Sequence, residues 1–291
     1  MTQQYQLTPL TQINVGVYGP PKTFKTTFGL TMTRPLVDFD LDRSFARAEA
    51  RFRAANPTDK IVVVSPTDTL EQYLDQDWDV IIRSYNIPVK LPGQPINIWR
   101  NLWSGLVLPD IVNTFQHPRI KSGLIDTGTV AWKISREAFM EKVIEKDGTR
   151  VQMSRIEYRE PNAEMFGLLG IAPYHGKNLM MLHHDAAKFQ GGQEVGRTWD
   201  GFNHLGGQVD LVIVTDQGHT CTRCNKVFLP SRNSMEHTGH QINETPIQVA
   251  MIETSGYSVS FQGTLIVEPT FDKVMSELNI IRLNELVQNG I

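Results

Sequence analysis

The chain has 291 residues, 40% of them hydrophobic and 20% charged, with a net charge of −3. That length suits one large α/β domain with at most a small appended module, and the charge excludes a global basic field, so any nucleic-acid contact must come from a local patch. No run of about 18 apolar residues is present, which excludes a helical membrane span, and the first residues lack the basic and long apolar segments of a signal peptide; the expectation is a cytoplasmic protein without membrane contact.

Residues 1–11 are polar and read as a short arm. Ile13 to Tyr18 is an apolar run ending at Gly19, which predicts a buried strand entering a turn. A helix is predicted from Thr26 to Thr33, a second strand from Pro35 to Asp40, and a basic, alanine-rich helix from Arg43 to Ala55. Lys60 to Val64 predicts a third strand, and a helix is expected within Leu70 to Tyr85. Residues 86–98, with three prolines and a glycine, predict a loop or hairpin, and Trp99 to Phe115 an amphipathic helix. Ile120 to Asp126 is the fourth predicted strand, followed by a helix from Val130 to Lys146, a turn at 147–153 and a helix from Pro161 to Tyr174. Asn178 to His184 and Val209 to Thr215 predict two more strands, with the glycine-rich stretch between Gln190 and Gly207 as a mobile loop. Strands at 247–253 and 257–267 and a helix at 270–287 close the chain. Alternating strands and helices imply a mostly parallel sheet with helices on both faces, whose ligands bind at the carboxyl ends of the strands.

Gly19-Pro20-Pro21-Lys22-Thr23-Phe24-Lys25-Thr26-Thr27 follows the first strand and opens a helix with the spacing of a phosphate-binding loop. Such a loop points backbone N–H groups at phosphates; Lys25 would reach the β and γ phosphates of ATP, and the Thr26 hydroxyl would hold Mg²⁺. Phe24 stands where the pattern has its second glycine, and a phenylalanine is tolerable there if its φ stays negative and its ring points away from the ligand. Asp126, at the end of an apolar strand, is the candidate Mg²⁺ carboxylate, supported by Thr127. Asp40 is the candidate base that orients the attacking water, with Asp38 or Asp42 as helper. The competing reading of these acids is a cap on the following helix, for which Asp42 is well spaced. Of His183 and His184 at the end of the fifth strand, alternation lets one face the site, and His184 is the expected one.

The two cysteines, Cys221 and Cys224, form a C-x-x-C pair, followed after twelve residues by His237 and after two more by His240. Two thiolates and two imidazoles predict a closed, structural zinc site within residues 219–240, with His219 as a substitute ligand; a free dithiol in a loop is the alternative. Trp199, in the glycine-rich stretch, is the one tryptophan nominated for stacking on bases.

These features taken in order, namely the GPPKTFKTT loop, the DFD and LIDT strand ends, the LMMLHHD strand and the EPTFDKVMSEL helix, resemble phage-encoded RecA-like ATPases, including the Sak-type single-strand annealing and recombination proteins. The similarity covers roughly residues 12–215 and 247–287. It implies one RecA-like domain over 1–291 with the 219–240 insert within it, and ATP with Mg²⁺ as cofactors. It also implies the host cytoplasm, and single-stranded DNA, a single-strand-binding or recombination protein and further copies of the chain as partners. Two departures stand out. Phe24 replaces glycine, and the segment 246–262 carries no lysine or arginine where ring-forming relatives place a trans-acting finger, leaving Arg197 or Arg232 for that role. A nucleotide-gated binding module and a small-molecule kinase are the alternative functions; a kinase needs an arginine-rich lid, which the sequence does not display.

Overall fold

The computed structural model describes residues 10–88, 97–148, 153–154, 156–229 and 242–288. Its strands are β1 (Asn14–Gly19), β2 (Leu36–Asp40), β3 (Ile61–Val64), β4 (Val80–Ser84), β5 (Ser122–Asp126), β6 (Asn178–Gln190), β7 (Gln193–Trp199), β8 (Leu211–Thr220), β9 (Val227–Phe228), β10 (Ile247–Ser255) and β11 (Leu265–Val267). The helices are α1 (Lys25–Gly29), α2 (Ser44–Ala55), α3 (Glu71–Leu74), α4 (Ile98–Leu102), α5 (Leu108–Gln116), α6 (Gly128–Lys146), α7 (Arg159–Tyr174) and α8 (Phe271–Gln288). A π-helical turn, Trp103–Val107, joins α4 to α5, so these run on as one irregular helix.

The strands join one sheet in the order β11-β10-β8-β1-β6-β5-β2-β4-β3, with β7 paired to β6 and β9 to β8. From β8 to β3 every neighbour is parallel, and β10 and β11 close one edge antiparallel. The strand that feeds the phosphate loop, β1, is therefore separated from the Asp126 strand, β5, by the single strand β6. This is a RecA-like arrangement of a mixed, mostly parallel sheet.

Both faces of the sheet are covered, which is why its strands read as near-continuous apolar runs. Side chains alternate between the faces. Val37, Phe39, Ile125, Leu179 and Met181 pack on one side with Trp103, Ile111, Phe115, Met165 and Leu168 of α5, α7 and the π turn. Val15, Val17, Leu36, Leu124, Met180 and Leu182 pack on the other with Phe28, Phe45 and Phe52 of α1 and α2 and Phe271, Val274 and Leu278 of α8. Each of these side chains is almost wholly withdrawn from water and contributes on the order of 1.5–3 kcal/mol of burial.

Four predicted elements differ. The expected helix within 70–85 shrinks to the single turn α3, because Asp77 takes a left-handed backbone (φ 53°) and the chain then enters β4. A short apolar run such as VII fits either element by pattern alone. The helix predicted to reach Thr33 stops at Gly29, which packs directly under Leu124. The predicted mobile loop after Gln190 is instead a hairpin: β6 extends to Gln190 and β7 pairs back along it through the Gly191-Gly192 turn. The strand predicted at 257–267 is a 3₁₀ turn, Val259–Phe261, followed by the three residues of β11. The polar arm at 1–11 lies almost wholly outside the described residues, as does most of the predicted turn at 147–153.

Gly123 tests the packing between sheet and helix. A Cβ built there would lie 2.3 Å from the Phe115 ring. Gly123→Ala is expected to destabilise the fold by about 1–3 kcal/mol through overpacking, seen as a lower denaturation midpoint with an unchanged slope.

Candidate nucleotide-binding site

The loop from Gly19 to Lys25 is held from beneath by β8. A Cβ on Gly19 would sit 2.2 Å from the Thr215 carbonyl oxygen, so only glycine fits where β1 turns over its neighbour. The Thr215 hydroxyl is 2.9 Å from the Thr23 hydroxyl, and Thr23 donates at 2.7 Å to the Pro20 carbonyl. Phe24 departs from expectation: its φ is +56°, the left-handed conformation that glycine adopts freely, and not negative. Its ring is buried in the α1/α2 core, pointing away from the loop's concave side. Lys22 is left-handed as well, at φ 68°. Among the described residues no protein acceptor takes the N–H groups of Lys22, Thr23, Phe24, Lys25, Thr26 or Thr27. Successive unbonded N–H groups on such a loop form an anion nest.

Lys25 folds onto this loop, donating to the carbonyls of Gly19 (2.8 Å) and Pro20 (2.9 Å). Burial lowers its pKa, opposed by the charges of Asp126, Asp185 and Asp42. Asp126 is fully buried at the end of β5 and accepts from the Thr26 hydroxyl at 2.7 Å and from the Ser44 hydroxyl. Burial, with the Asp42 charge adding to it, pushes its pKa up to about 7 against those two hydrogen bonds. A hydroxyl beside a carboxylate is an oxygen donor set that fits Mg²⁺. Thr127 does not brace Asp126: its hydroxyl caps α6, accepting from the Val130 N–H at 3.3 Å.

The acids of β2 divide their work. Asp38 is fully buried with both carboxylate oxygens unbonded, and burial together with the neighbouring charges of Asp126 and Asp40 raises its pKa well above the ordinary range. Asp40 accepts from the Ser44 N–H at 2.8 Å, so its carboxylate, and not that of Asp42, caps α2. Asp42 lies outward of both, 3.5 Å from the His184 ring and 3.4 Å from Arg47. Burial raises its pKa, but hydrogen bonds from His184 and Ser44 and the Arg47 charge outweigh that and leave it lowered. The expected base, Asp40, is thus engaged by a helix terminus, while Asp42 is the carboxylate beside His184.

His183 is buried, its Nδ1 3.1 Å from the Asp200 carbonyl, and burial holds its pKa down at about 4, so it is neutral. His184 is half exposed. Thr129 ties this strand end down, receiving the His184 N–H at 3.0 Å and donating to the Asp200 carbonyl at 2.7 Å. Beyond it the β6–β7 hairpin carries Asp185, paired with Arg197, and the exposed Phe189 and Val195. Trp199 at its base is packed inward, edge-on to Tyr18 at 5.9 Å with its indole N–H on the Phe202 carbonyl. Ser44, Thr215 and Thr129 escaped sequence reading, since isolated hydroxyl residues carry no pattern. Ser44 alone had a signal, as the first helical residue after the acidic strand end.

β8 continues five residues past its predicted end to Thr220, and β9 folds back on it. Cys221 and Cys224 occupy the connecting turn, closed by bonds from the Cys221 N–H to the Lys226 carbonyl and from the Asn225 N–H to the Cys221 carbonyl, both 2.9 Å. His237, His240 and Arg232 lie outside the described residues.

No protein-family model matches the chain, and no curated protein matches it. Among solved structures, a KaiC-like protein from the hyperthermophilic archaeon Pyrococcus horikoshii OT3 is similar at 14% identity over 88% of this chain and 90% of that one, with a TM-score of 0.36. A similarity that distant carries nothing over to this chain; the RecA-like fold rests on the strand order and the loop. Among the described residues no helix is long and apolar enough to cross a membrane.

The raised pKa of Asp126 has a consequence for stability. A carboxyl harder to ionise in the folded chain than in the unfolded one costs stability as pH rises from about 4 to about 7, by at most about 4 kcal/mol once ionised. Asp126→Asn removes that cost while keeping the shape. Without nucleotide, it is expected to melt close to the parent near pH 4 and several degrees above it at pH 8; melting curves at both values check this.

Proposed function

We propose that this chain binds ATP with Mg²⁺ and hydrolyses it in work on single-stranded DNA, as the resemblance to phage-encoded Sak-type annealing and recombination proteins implies. The observation that carries the nucleotide reading is the run of six unbonded N–H groups from Lys22 to Thr27, opening α1 beside Lys25 and Asp126. Bound Mg·ATP supplies the transferable phosphoryl group and the cation that neutralises charge on its oxygens. With nucleotide bound, Lys25 would exchange the Gly19 and Pro20 carbonyls for the phosphates and Thr26 and Asp126 would hold the cation, while the hydroxyl of Ser44 keeps Asp126 in place. Asp42, steadied by His184, takes the water-orienting role in preference to Asp40, whose carboxylate α2 occupies. Single-stranded DNA, a single-strand-binding or recombination protein and further copies of the chain are the proposed partners, and the host cytoplasm the proposed location.

A nucleotide-gated binding module is the second reading. It is favoured by the Lys25 ammonium group, which is hydrogen-bonded to the carbonyls of its own loop and not extended toward a phosphate. For the C-x-x-C turn we propose structural zinc, completed by His237 and His240. Two thiols on a tight turn with a left-handed residue behind them, Asn225 at φ 57°, suit tetrahedral metal ligation.

ATP turnover by the purified chain, with and without single-stranded DNA, is expected to fall about a hundredfold or more in Lys25→Ala. Tight nucleotide binding with no turnover in either condition would move the reading to the binding module. Zinc analysis of the purified chain is expected to find one equivalent, lost in the Cys221→Ser variant; a metal-free parent would rule the zinc site out.

A further inference from the structure

We infer that the exposed arginine row on α2, formed by Arg43, Arg47 and Arg51, is a binding ridge for the phosphodiester backbone of a single-stranded nucleic acid. Arg47 and Arg51 are four residues apart, so they lie on one side of the helix about 6 Å apart along its axis, and Arg43 stands at its N-cap. Counting Arg53 and Glu49, residues 43–55 carry four arginines and one acid, a net charge of +3 in a chain whose total is −3. Arg47 reaches Asp42 only at 3.4 Å and is 67% exposed, and Arg51 has no acidic partner among the described residues.

The start of the helix breaks three local rules at one residue. Arg43 fills the N-cap position, where a short oxygen-bearing side chain is favoured, and it makes no cap bond. Its backbone is left-handed, φ 61°, which costs a non-glycine residue energy. Its positive charge sits at the positive end of the helix dipole. Asp40 has to cap the helix from β2 instead. Arg43 thus goes against cap, backbone and charge preference together, and its exposed guanidinium reaches outward to donate to the Asn86 side-chain oxygen.

The chemistry between the arginines selects the partner. Phe45 and Phe52 face the core, and the positions between Arg47 and Arg51 are Ala48, Ala50 and Glu49, which pairs with Arg53. An acidic protein partner would find no apolar anchor to bury there, and a membrane no residue to insert. A phosphodiester chain needs neither, and arginine offers its oxygens a two-pronged donor. The row is one residue wide with Asp42 and Glu49 beside it, which fits one strand of phosphates and not the two of a duplex. It begins next to Asp42, at the mouth of the nucleotide site. This placement deepens the proposed function and rests on it for the pairing of ATP with single-stranded DNA.

The test is fluorescence anisotropy of a labelled thymidine oligonucleotide titrated with the full chain across a salt series, alongside nucleotide binding. Variants are Arg51→Gln, Arg43→Gly with Arg51→Gln, and Arg51→Lys. Each lost arginine is expected to weaken binding several-fold and to flatten the slope of log affinity against log salt by about 0.7, whereas Arg51→Lys keeps the slope. Arg43→Gly is expected to melt no lower than the parent, because glycine relaxes the left-handed position, so weaker binding there is not unfolding. An unchanged affinity and slope in the double variant overturns the ridge, as does tighter, arginine-dependent binding of a duplex of equal length. So does arginine-dependent binding of polyglutamate or anionic vesicles where the oligonucleotide does not bind. Arginine-dependent oligonucleotide binding without nucleotide binding would support the ridge and sink the ATP reading; nucleotide binding with arginine-independent oligonucleotide binding would do the reverse.

Discussion

Asp40 and Asp126 stand opposite one another in register on β2 and β5, with Asp38 two residues below on the same side, in a volume almost closed to water. Three bare carboxylates cannot share such a volume, since each ion withdrawn from water costs several kcal/mol unless paired or hydrogen-bonded. The structure meets this constraint in three ways. Asp38, with neither carboxylate oxygen hydrogen-bonded, has its pKa raised well above the ordinary range by burial and by the neighbouring carboxylates. Asp40 is spent on the first turn of α2, and Asp126 draws the hydroxyls of Thr26 and Ser44. The start of α1, the start of α2 and the ends of two strands are thereby tied to one cluster, which remains short of positive charge except for Lys25.

The phosphate loop shows how one backbone shape is reached with unusual residues. Its second glycine is Phe24, yet the backbone there is still left-handed. The side chain that makes this conformation costly also offsets it, because the buried ring joins Phe28 and Phe45 in the core. Beneath the loop, contact between Gly19 and the Thr215 carbonyl leaves no room for β1 and β8 to slide. The loop is rigid through packing on both ends and not through its own sequence.

Above the same strand ends the molecule is organised by β6, the longest strand, which runs from the core into the solvent. Its first half is buried between β1 and β5, and its second half forms the exposed hairpin with β7. His184 and Asp185 lie at the change from one regime to the other. His184 meets Asp42 and Asp185 holds Arg197, so neighbouring residues of this one strand touch the acidic cluster and the hairpin.

Local pattern was enough for the strand that feeds the loop, the loop itself, the acidic strand ends and most helices, because each announces itself within about ten residues by alternation, glycine or proline punctuation, or a charge at a strand end. Strand β4 and the hairpin were not legible: VIIRS and QEVGRTW become strands only when β2, β3 or β6 lies alongside to take their backbone hydrogen bonds. Likewise the division of labour among Asp38, Asp40 and Asp42 turns on which side chain meets the N-terminus of α2, and the inward packing of Trp199 turns on Tyr18, far away in the chain. A carboxylate's role is set by its partners and its distance from water, and those are properties of the packed sheet and not of any one segment.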